Sequence, residues 1–174
     1  EDLKVSGTCV CGNVEVNVTG KPMTASYCHC LDCQRSHSAP MFQAVIFSVS
    51  QVFLLLDTLG KLINSALKVT FYFPKGGDLE SNILKLKITE KGPERYTCHS
   101  CGARVANRRD VSGLPSFCAV PATLLQQDKP LPAEYKPVMH LCYSERTVNV
   151  KDGLPKYAKM PAVFGGSDEL VAEE

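Results

Sequence analysis

The sequence predicts a mainly β domain. Short runs of β-branched and aromatic residues recur between turn residues, as at residues 14–18 and 67–73. No stretch has the 3.6-residue apolar period of a long amphipathic helix, and the sequence contains no internal repeat. Of the 174 residues, 44% are hydrophobic and 21% are charged, which suits one folded domain with its own core.

The first part of the chain is predicted to place cysteines in two turns. Residues 3–18 predict a strand, a turn and a strand, because valines alternate with polar residues in the second half of this segment. The turn contains Cys9 and Cys11. Residues 23–27 predict a short strand that leads into a cysteine-rich loop at residues 28–33.

The rest of the chain is predicted to continue mainly as strands. A helical turn is expected over residues 34–36, and Pro40 would end it soon. The later strands are predicted from apolar, β-branched runs separated by glycine and proline, and residues from 151 onward are expected to lie on the surface with a frayed end from Gly165. These later strands are predicted at residues 41–49, 52–56, 67–73, 83–88, 103–106, 116–120 and 138–143.

The charge balance argues against a strongly charged partner. Nineteen basic and eighteen acidic residues give a formal net charge of +1, so we expect neither nucleic-acid nor membrane binding. No apolar run reaches the roughly 18–20 residues that cross a bilayer. Because thiols are abundant and no apolar signal segment opens the sequence, we expect a cytoplasmic protein with a small-molecule substrate, compatible with a homodimer.

Seven of the nine cysteines fall into three tight groups. Two of the groups are pairs, Cys9 with Cys11 and Cys98 with Cys101. Together the pairs supply four thiolates, which is the composition of a closed zinc site. A disulfide framework is the alternative, but such frameworks are typical of shorter secreted chains, and nine is an odd number.

The third group, Cys28, Cys30 and Cys33, supplies only three thiolates. A tetrahedral zinc with three protein ligands keeps one position for water or substrate, as in catalytic sites. We therefore expect two zinc ions per chain. Cys118 and Cys142 lie in apolar surroundings and are interpreted as buried packing residues. The fourth ligand of the three-cysteine zinc stays open, and the candidates are His37, His140, Cys118 and Cys142.

Three residues are candidates for chemistry beside the three-cysteine zinc. His37 follows Cys33 by four residues, so it can exchange protons or contact substrate if the turn is helical. Arg35 can bind a substrate carboxylate with two hydrogen bonds, or can instead form a salt bridge. His140 flanks an apolar strand and is either a core histidine or a functional one. His29, inside the loop, suits packing as well as catalysis.

The cysteine motifs at residues 7–12, 27–35 and 98–102, in this order, resemble those of the glutathione-dependent formaldehyde-activating enzyme family, which also contains centromere protein V. The resemblance covers residues 3–157. The stretches His140 to Arg146 and Asp152 to Lys156 are similar to the closing stretches of fungal-type members. The family usually carries a glycine where Ser38 stands here.

The resemblance implies a zinc-binding β-tent fold. It implies a structural zinc on the four-cysteine set and a catalytic zinc on the three-cysteine set. It also implies a single domain over residues 1–160, followed by a tail at residues 161–174. The interval between Cys33 and Cys98 is longer than usual in the family, so an insertion is expected within residues 56–81.

The implied activity is that of a zinc-dependent carbon–sulfur lyase similar to S-(hydroxymethyl)glutathione synthase. It would act on a thiol adduct or a small carbonyl compound, with glutathione able to serve as co-substrate. One alternative is a zinc-dependent hydrolase, lyase or dehydratase that tailors a larger secondary metabolite. Another is a non-catalytic zinc-binding module, which would predict a basic or low-complexity extension that this sequence does not contain.

Overall fold

Two β-sheets form the framework of the protein in the computed structural model. This architecture, in which the described helices have seven residues or fewer, confirms the predicted mainly β class. The predicted strand at residues 52–56 lies outside the described residues, as does the first half, residues 56–68, of the segment in which an insertion is expected. The structure describes residues 3–48, 69–90, 92–110, 116–125 and 130–172.

Most of the described strands agree with the sequence predictions, but the strand at Glu94–Cys98 was not predicted, and the last strand is shorter than the predicted residues 138–143. The described strands are β1 (Lys4–Thr8), β2 (Glu15–Thr19), β3 (Thr24–Cys28), β4 (Phe42–Ser48), β5 (Val69–Tyr72), β6 (Ile83–Lys87), β7 (Glu94–Cys98), β8 (Arg104–Arg109), β9 (Phe117–Pro121) and β10 (His140–Leu141). The α-helices are α1 (Leu31–His37), α2 (Leu79–Asn82) and α3 (Ala122–Leu125), and short 3-10 helices cover Ala133–Tyr135, Tyr143–Glu145 and Ala162–Phe164.

The smaller sheet has the strand order β1-β2-β5, and both of its pairs are antiparallel. Val14, Val16 and Val18 are completely buried, as their alternation with polar residues predicts. The larger sheet has the order β10-β3-β4-β9-β8-β7-β6, in which the short β10–β3 pair is parallel and the other pairs are antiparallel. One extended apolar core contains residues of both sheets, including Val16 and Val105.

Helix α3 lies directly against β1 at Gly7. A Cβ atom at this glycine would fall 1.8 Å from the carbonyl oxygen of Leu124, well inside van der Waals contact. Glycine is therefore required here by the close approach of two backbones.

The C-terminal segment is more ordered than the sequence predicts. The end that was expected to fray from Gly165 returns to the body of the protein, because the Ala158 amide donates to the Glu169 carbonyl at 2.7 Å and the Val171 amide donates to the Lys156 carbonyl at 2.8 Å. The expectation of fraying is therefore wrong for the described part of this end, residues 165–172. Backbone hydrogen bonds of this kind leave no sequence pattern.

Within the described parts of the chain, no helix is both long and apolar enough to cross a membrane.

Candidate metal centres and the adjoining cavity

Four sulfur atoms from two hairpin turns converge between the sheets. The turn between β1 and β2 carries Cys9 and Cys11, and the turn between β7 and β8 carries Cys98 and Cys101. The four sulfurs all lie within 4.8 Å of one another. Since one turn belongs to each sheet, this cluster joins the two sheets.

The spacing of these sulfurs fits a tetrahedral metal ion. A zinc–sulfur bond of about 2.3 Å places two tetrahedral sulfur ligands about 3.8 Å apart. The Sγ atoms of Cys9 and Cys11 are 3.5 Å apart, and those of Cys11 and Cys98 are 3.7 Å apart. All nine cysteines are free, so the disulfide alternative is wrong. The four-cysteine cluster can hold a metal ion.

Cys28, Cys30 and Cys33 form a second cluster with all three sulfurs within 4.8 Å of one another. Cys28 ends β3, and Cys30 is the N-cap of α1, where its sulfur accepts a hydrogen bond from the Cys33 amide. The helix begins at Leu31, earlier than the predicted turn at residues 34–36, so Cys33 lies inside its first turn. A thiolate is favoured there by the helix dipole.

Helix α1 ends at Ser38, which adopts a left-handed conformation with φ of 49°. This conformation favours glycine at a helix C-cap.

Cys142 lines the cavity beside the three-cysteine cluster and is only partly buried, so its interpretation as a buried packing residue is wrong. It follows Leu141, which pairs with Cys28. The pKa of Cys30 is lowered far below its ordinary value, first by the hydrogen bond from Cys142 and then by those from Cys28 and Cys33. Cys118, in contrast, is buried in the core as predicted, and burial raises the pKa of its thiol to about 12.

A cavity of about 520 Å³ opens beside the three-cysteine cluster. Its floor is one face of the larger sheet. Because side chains alternate across a strand, the strand register places on this face residues from five neighbouring strands. These residues are Cys28 of β3, Phe42, Ala44 and Ile46 of β4, Phe117 and Ala119 of β9, Asn107 and Arg109 of β8, and Arg95 of β7.

Arg95 lies at the far end of this floor from Cys28. It is 5% exposed, and the described residues provide it with neither a hydrogen bond nor an ion pair. A buried guanidinium without a partner is costly, so an anionic ligand would be favoured there. The cavity also contains Arg109 and two acidic side chains, of which Glu145 accepts a hydrogen bond from the Leu31 amide.

The predicted residues Arg35 and His37 lie on different sides of α1. Arg35 is exposed and lines the cavity. His37 instead lines a second pocket together with Arg104, stacks on Phe42 and accepts a hydrogen bond from the Asn107 side-chain amide at 3.3 Å. Burial and then the charges of Arg104 and Arg95 lower the pKa of His37 to about 4, so its ring is neutral at pH 7.

His140 lies behind the three-cysteine loop in a buried chain of hydrogen bonds. Its Nε2 is 2.9 Å from an Asp152 oxygen, and its Nδ1 is 2.8 Å from Nε2 of His29. Asp152 remains ionised, with a pKa of about 2: burial opposes this shift, while hydrogen bonds from His140, the Leu154 amide and Lys156 favour it. A carboxylate only accepts hydrogen bonds, so Nε2 of His140 donates to Asp152.

His29 is the inner end of this chain. Burial first, and the charge of His140 second, lower the pKa of His29 to about 4. Its Nδ1 has no hydrogen-bond partner among the described residues. His29 and His140 are both fully buried, and neither ring lines the cavity.

Asp152→Asn is expected to lower the free energy of unfolding by about 1.5–2 kcal/mol, the lower part of the range for a hydrogen bond to a charged group. The Asp152 side chain is 29% exposed, but it contacts the His140 ring at 2.9 Å and the Lys156 ammonium at 3.1 Å, and these two side chains are 0% and 2% exposed. The substitution removes the negative charge from both contacts. Chemical denaturation at neutral pH with both metals bound would measure the change.

Asp110→Asn is the matched control, since the Asp110 and Arg108 side chains are 61% and 32% exposed. A surface pair of this kind contributes about 0–1 kcal/mol. Equal losses in the two variants would mean that the Asp152 carboxylate contributes no more than a surface ion pair.

Comparisons with known proteins match the chain to one family model. The family model described as glutathione-dependent formaldehyde-activating enzyme matches residues 4–145. No curated protein matches the chain. Among solved structures, the chain is similar to a crystal structure of a Rhodobacter sphaeroides protein from a structural genomics programme, with 19% identity and a TM-score of 0.47; the similarity covers 72% of this chain and 91% of that one.

Proposed function

The chain belongs to the glutathione-dependent formaldehyde-activating enzyme family, and we propose that it is a zinc-dependent carbon–sulfur lyase acting on a thiol adduct or a small carbonyl compound. The observation that carries the proposal is a three-thiol cluster that lines a cavity. In this proposal the four-cysteine cluster holds a structural zinc, and Cys28, Cys30 and Cys33 hold the catalytic one.

Zinc bound by three thiolates would supply a Lewis acid that keeps a substrate thiol deprotonated at neutral pH. In the synthetic direction, a carbon–sulfur bond forms between the thiol sulfur and the carbonyl carbon. The proton that the thiol loses goes to the carbonyl oxygen, which gives a hydroxymethyl thioether from formaldehyde. In the reverse direction that bond breaks and the proton returns to sulfur, so no oxidant or reductant is needed.

The floor of the cavity favours an extended, anionic substrate. Four strand-to-strand steps separate β3, which carries Cys28, from β7, which carries Arg95. At about 4.8 Å per step, their backbones are roughly 19 Å apart. The arginine side chain covers part of this distance, and a tripeptide with carboxylates at its ends, such as glutathione, matches the remaining length and the charge.

Arg95→Gln is expected to raise KM for an anionic substrate by about 10- to 150-fold, because a hydrogen bond to a charged group contributes about 1.5–3 kcal/mol. The turnover number should change much less, since Arg95 is far from the sulfurs. Lys85→Gln is the control: Lys85 is exposed on β6 and pairs with Tyr96, the neighbour of Arg95, so it lies on the opposite face of the sheet. Equal KM values for wild type and Arg95→Gln would rule out this anion contact.

The activity is tested with purified protein, glutathione and formaldehyde, using NMR to measure the rate at which the hydroxymethyl thioether exchanges with its components. We expect zinc-loaded wild type to accelerate exchange and Cys30→Ser to leave it at the uncatalysed rate. Elemental analysis should give two zinc ions per wild-type chain. Unaccelerated exchange at full zinc content would overturn glutathione and formaldehyde as the substrates.

The second candidate, a zinc-dependent hydrolase, lyase or dehydratase acting on a larger metabolite, is supported by the length of the cavity. Cobalt-substituted protein separates the two candidates. A change in the sulfur-to-cobalt charge-transfer absorption on adding glutathione indicates a thiol substrate, whereas an unchanged spectrum favours an oxygen substrate. The proposed roles of Arg35, His37 and His140, and a homodimeric state, remain predictions.

A further inference from the structure

We propose that Cys142 is a displaceable fourth sulfur ligand of the metal ion held by Cys28, Cys30 and Cys33. The inference rests on the proposed zinc site and adds a resting state in which the open position is closed by the protein itself. A substrate thiol would then have to displace Cys142 before it could bind.

Strand pairing brings Cys142 to the cluster. The short strand β10 lies parallel to β3, with Leu141 opposite Cys28. Cys142 follows directly, at the end of β3 that carries Cys28. Cys142 also lines the cavity beside the three-cysteine cluster, through which an incoming ligand would have to approach.

The backbone of Cys142 is held in an unusual conformation. Its φ is 54°, in the left-handed region that non-glycine residues rarely adopt. The amide of Cys142 donates to the Lys159 carbonyl at 2.6 Å, and its carbonyl accepts from the Glu145 amide at 3.0 Å. Residues held in such conformations cluster at functional sites, where the surrounding structure compensates the strain. Here the strained turn directs a fourth thiol toward two others.

The position of Cys142 suggests reversible rather than permanent ligation. The group whose sulfurs all lie within 4.8 Å of one another contains Cys28, Cys30 and Cys33 but not Cys142. Cys142 therefore lies at the edge of the cluster, in the lining of the same cavity. Since its backbone is anchored, rotation of the side chain is the motion available to bring the sulfur in or take it out.

The test compares wild type with Cys142→Ser, and uses Cys118→Ser as the control for removing a buried thiol elsewhere. The number of sulfurs around zinc is measured by X-ray absorption, and the sulfur-to-cobalt charge-transfer intensity is measured on cobalt-substituted protein. We expect Cys142→Ser to lose one sulfur per chain and Cys118→Ser to lose none. An equal sulfur count in wild type and Cys142→Ser would overturn the inference.

Calorimetric titration of the zinc-loaded proteins with glutathione tests displacement, because exchange of one thiolate for another leaves the number of sulfurs around the metal unchanged. An internal ligand competes at an effective concentration of about millimolar, so half-saturation of wild type should require roughly tenfold more glutathione than half-saturation of Cys142→Ser. Equal half-saturation would show that Cys142 does not compete.

Labelling of wild type with iodoacetamide, followed by mass spectrometry, tests the inference without a variant. Cys142 should be protected in the zinc-loaded protein and become reactive after zinc is removed. Equal labelling rates in the two states would contradict ligation.

These outcomes are separable from the lyase proposal. If Cys142→Ser loses a sulfur but no variant turns over glutathione and formaldehyde, Cys142 is a metal ligand and the lyase proposal is wrong. If turnover occurs but the sulfur count is unchanged, the lyase proposal stands and Cys142 is not a ligand.

Discussion

Cys98→Ala is expected to unfold the protein. Cys98 ends β7, is 1% exposed and belongs to the cluster that joins the two sheets. Apparent binding free energies of structural zinc are about 10–16 kcal/mol, as large as the whole unfolding free energy of a typical domain, about 5–15 kcal/mol. Removing one thiolate would weaken the binding of this metal enough to remove most of the free energy of unfolding. Circular dichroism and zinc content of the purified variant would measure the effect.

Cys118→Ala is the matched control for Cys98→Ala. Cys118 is as deeply buried, on β9, but belongs to neither cluster that could hold a metal. Its replacement creates only a small cavity, which should cost about 1 kcal/mol. Comparable destabilisation by both substitutions would mean that Cys98 acts through packing rather than through a metal.

The sequence predicts those features that depend on local patterns. Alternating valines in β2 predict its buried face, and the closely spaced cysteines of each turn predict the metal clusters, because ligands two or three residues apart need only a turn to converge. The start of α1 was harder to predict. Its N-cap is Cys30, which is not among the residues that usually mark a helix start.

Other features depend on contacts between distant segments. Cys142 reaches Cys28 only because β10 lies parallel to β3, and no spacing in the sequence indicates that pairing. Arg95 resembles any other charged residue in its strand until the register places it on the cavity floor beside Asn107. The sequence contains more cysteines than the two metal clusters require, and this was the only indication of a role for Cys142. The apolar residues around Cys142 favoured a packing role instead.

Cys30→Ser is expected to abolish activity while leaving the protein folded with one zinc. As the N-cap of α1, Cys30 accepts a hydrogen bond from the Cys33 amide at 3.4 Å through its sulfur. Serine is among the preferred N-cap residues, so its hydroxyl can replace that hydrogen bond while removing a thiolate. The helix should therefore persist.

The two metal clusters should then differ in what they contribute to stability. The three-cysteine cluster, Cys28, Cys30 and Cys33, lies in one short loop, so a metal bound there closes only a short length of chain. The four-cysteine cluster links the β1–β2 turn to the β7–β8 turn, which are far apart in the sequence. We expect Cys30→Ser to change the melting temperature by only a few degrees, and Cys101→Ser to lower it by more than about 15 °C or to unfold the protein. Thermal unfolding and zinc analysis of both variants, with exchange activity measured on the same samples, would test this difference. Equal destabilisation would mean that the three-cysteine site is also structural, and the lyase proposal would lose its open position for a substrate.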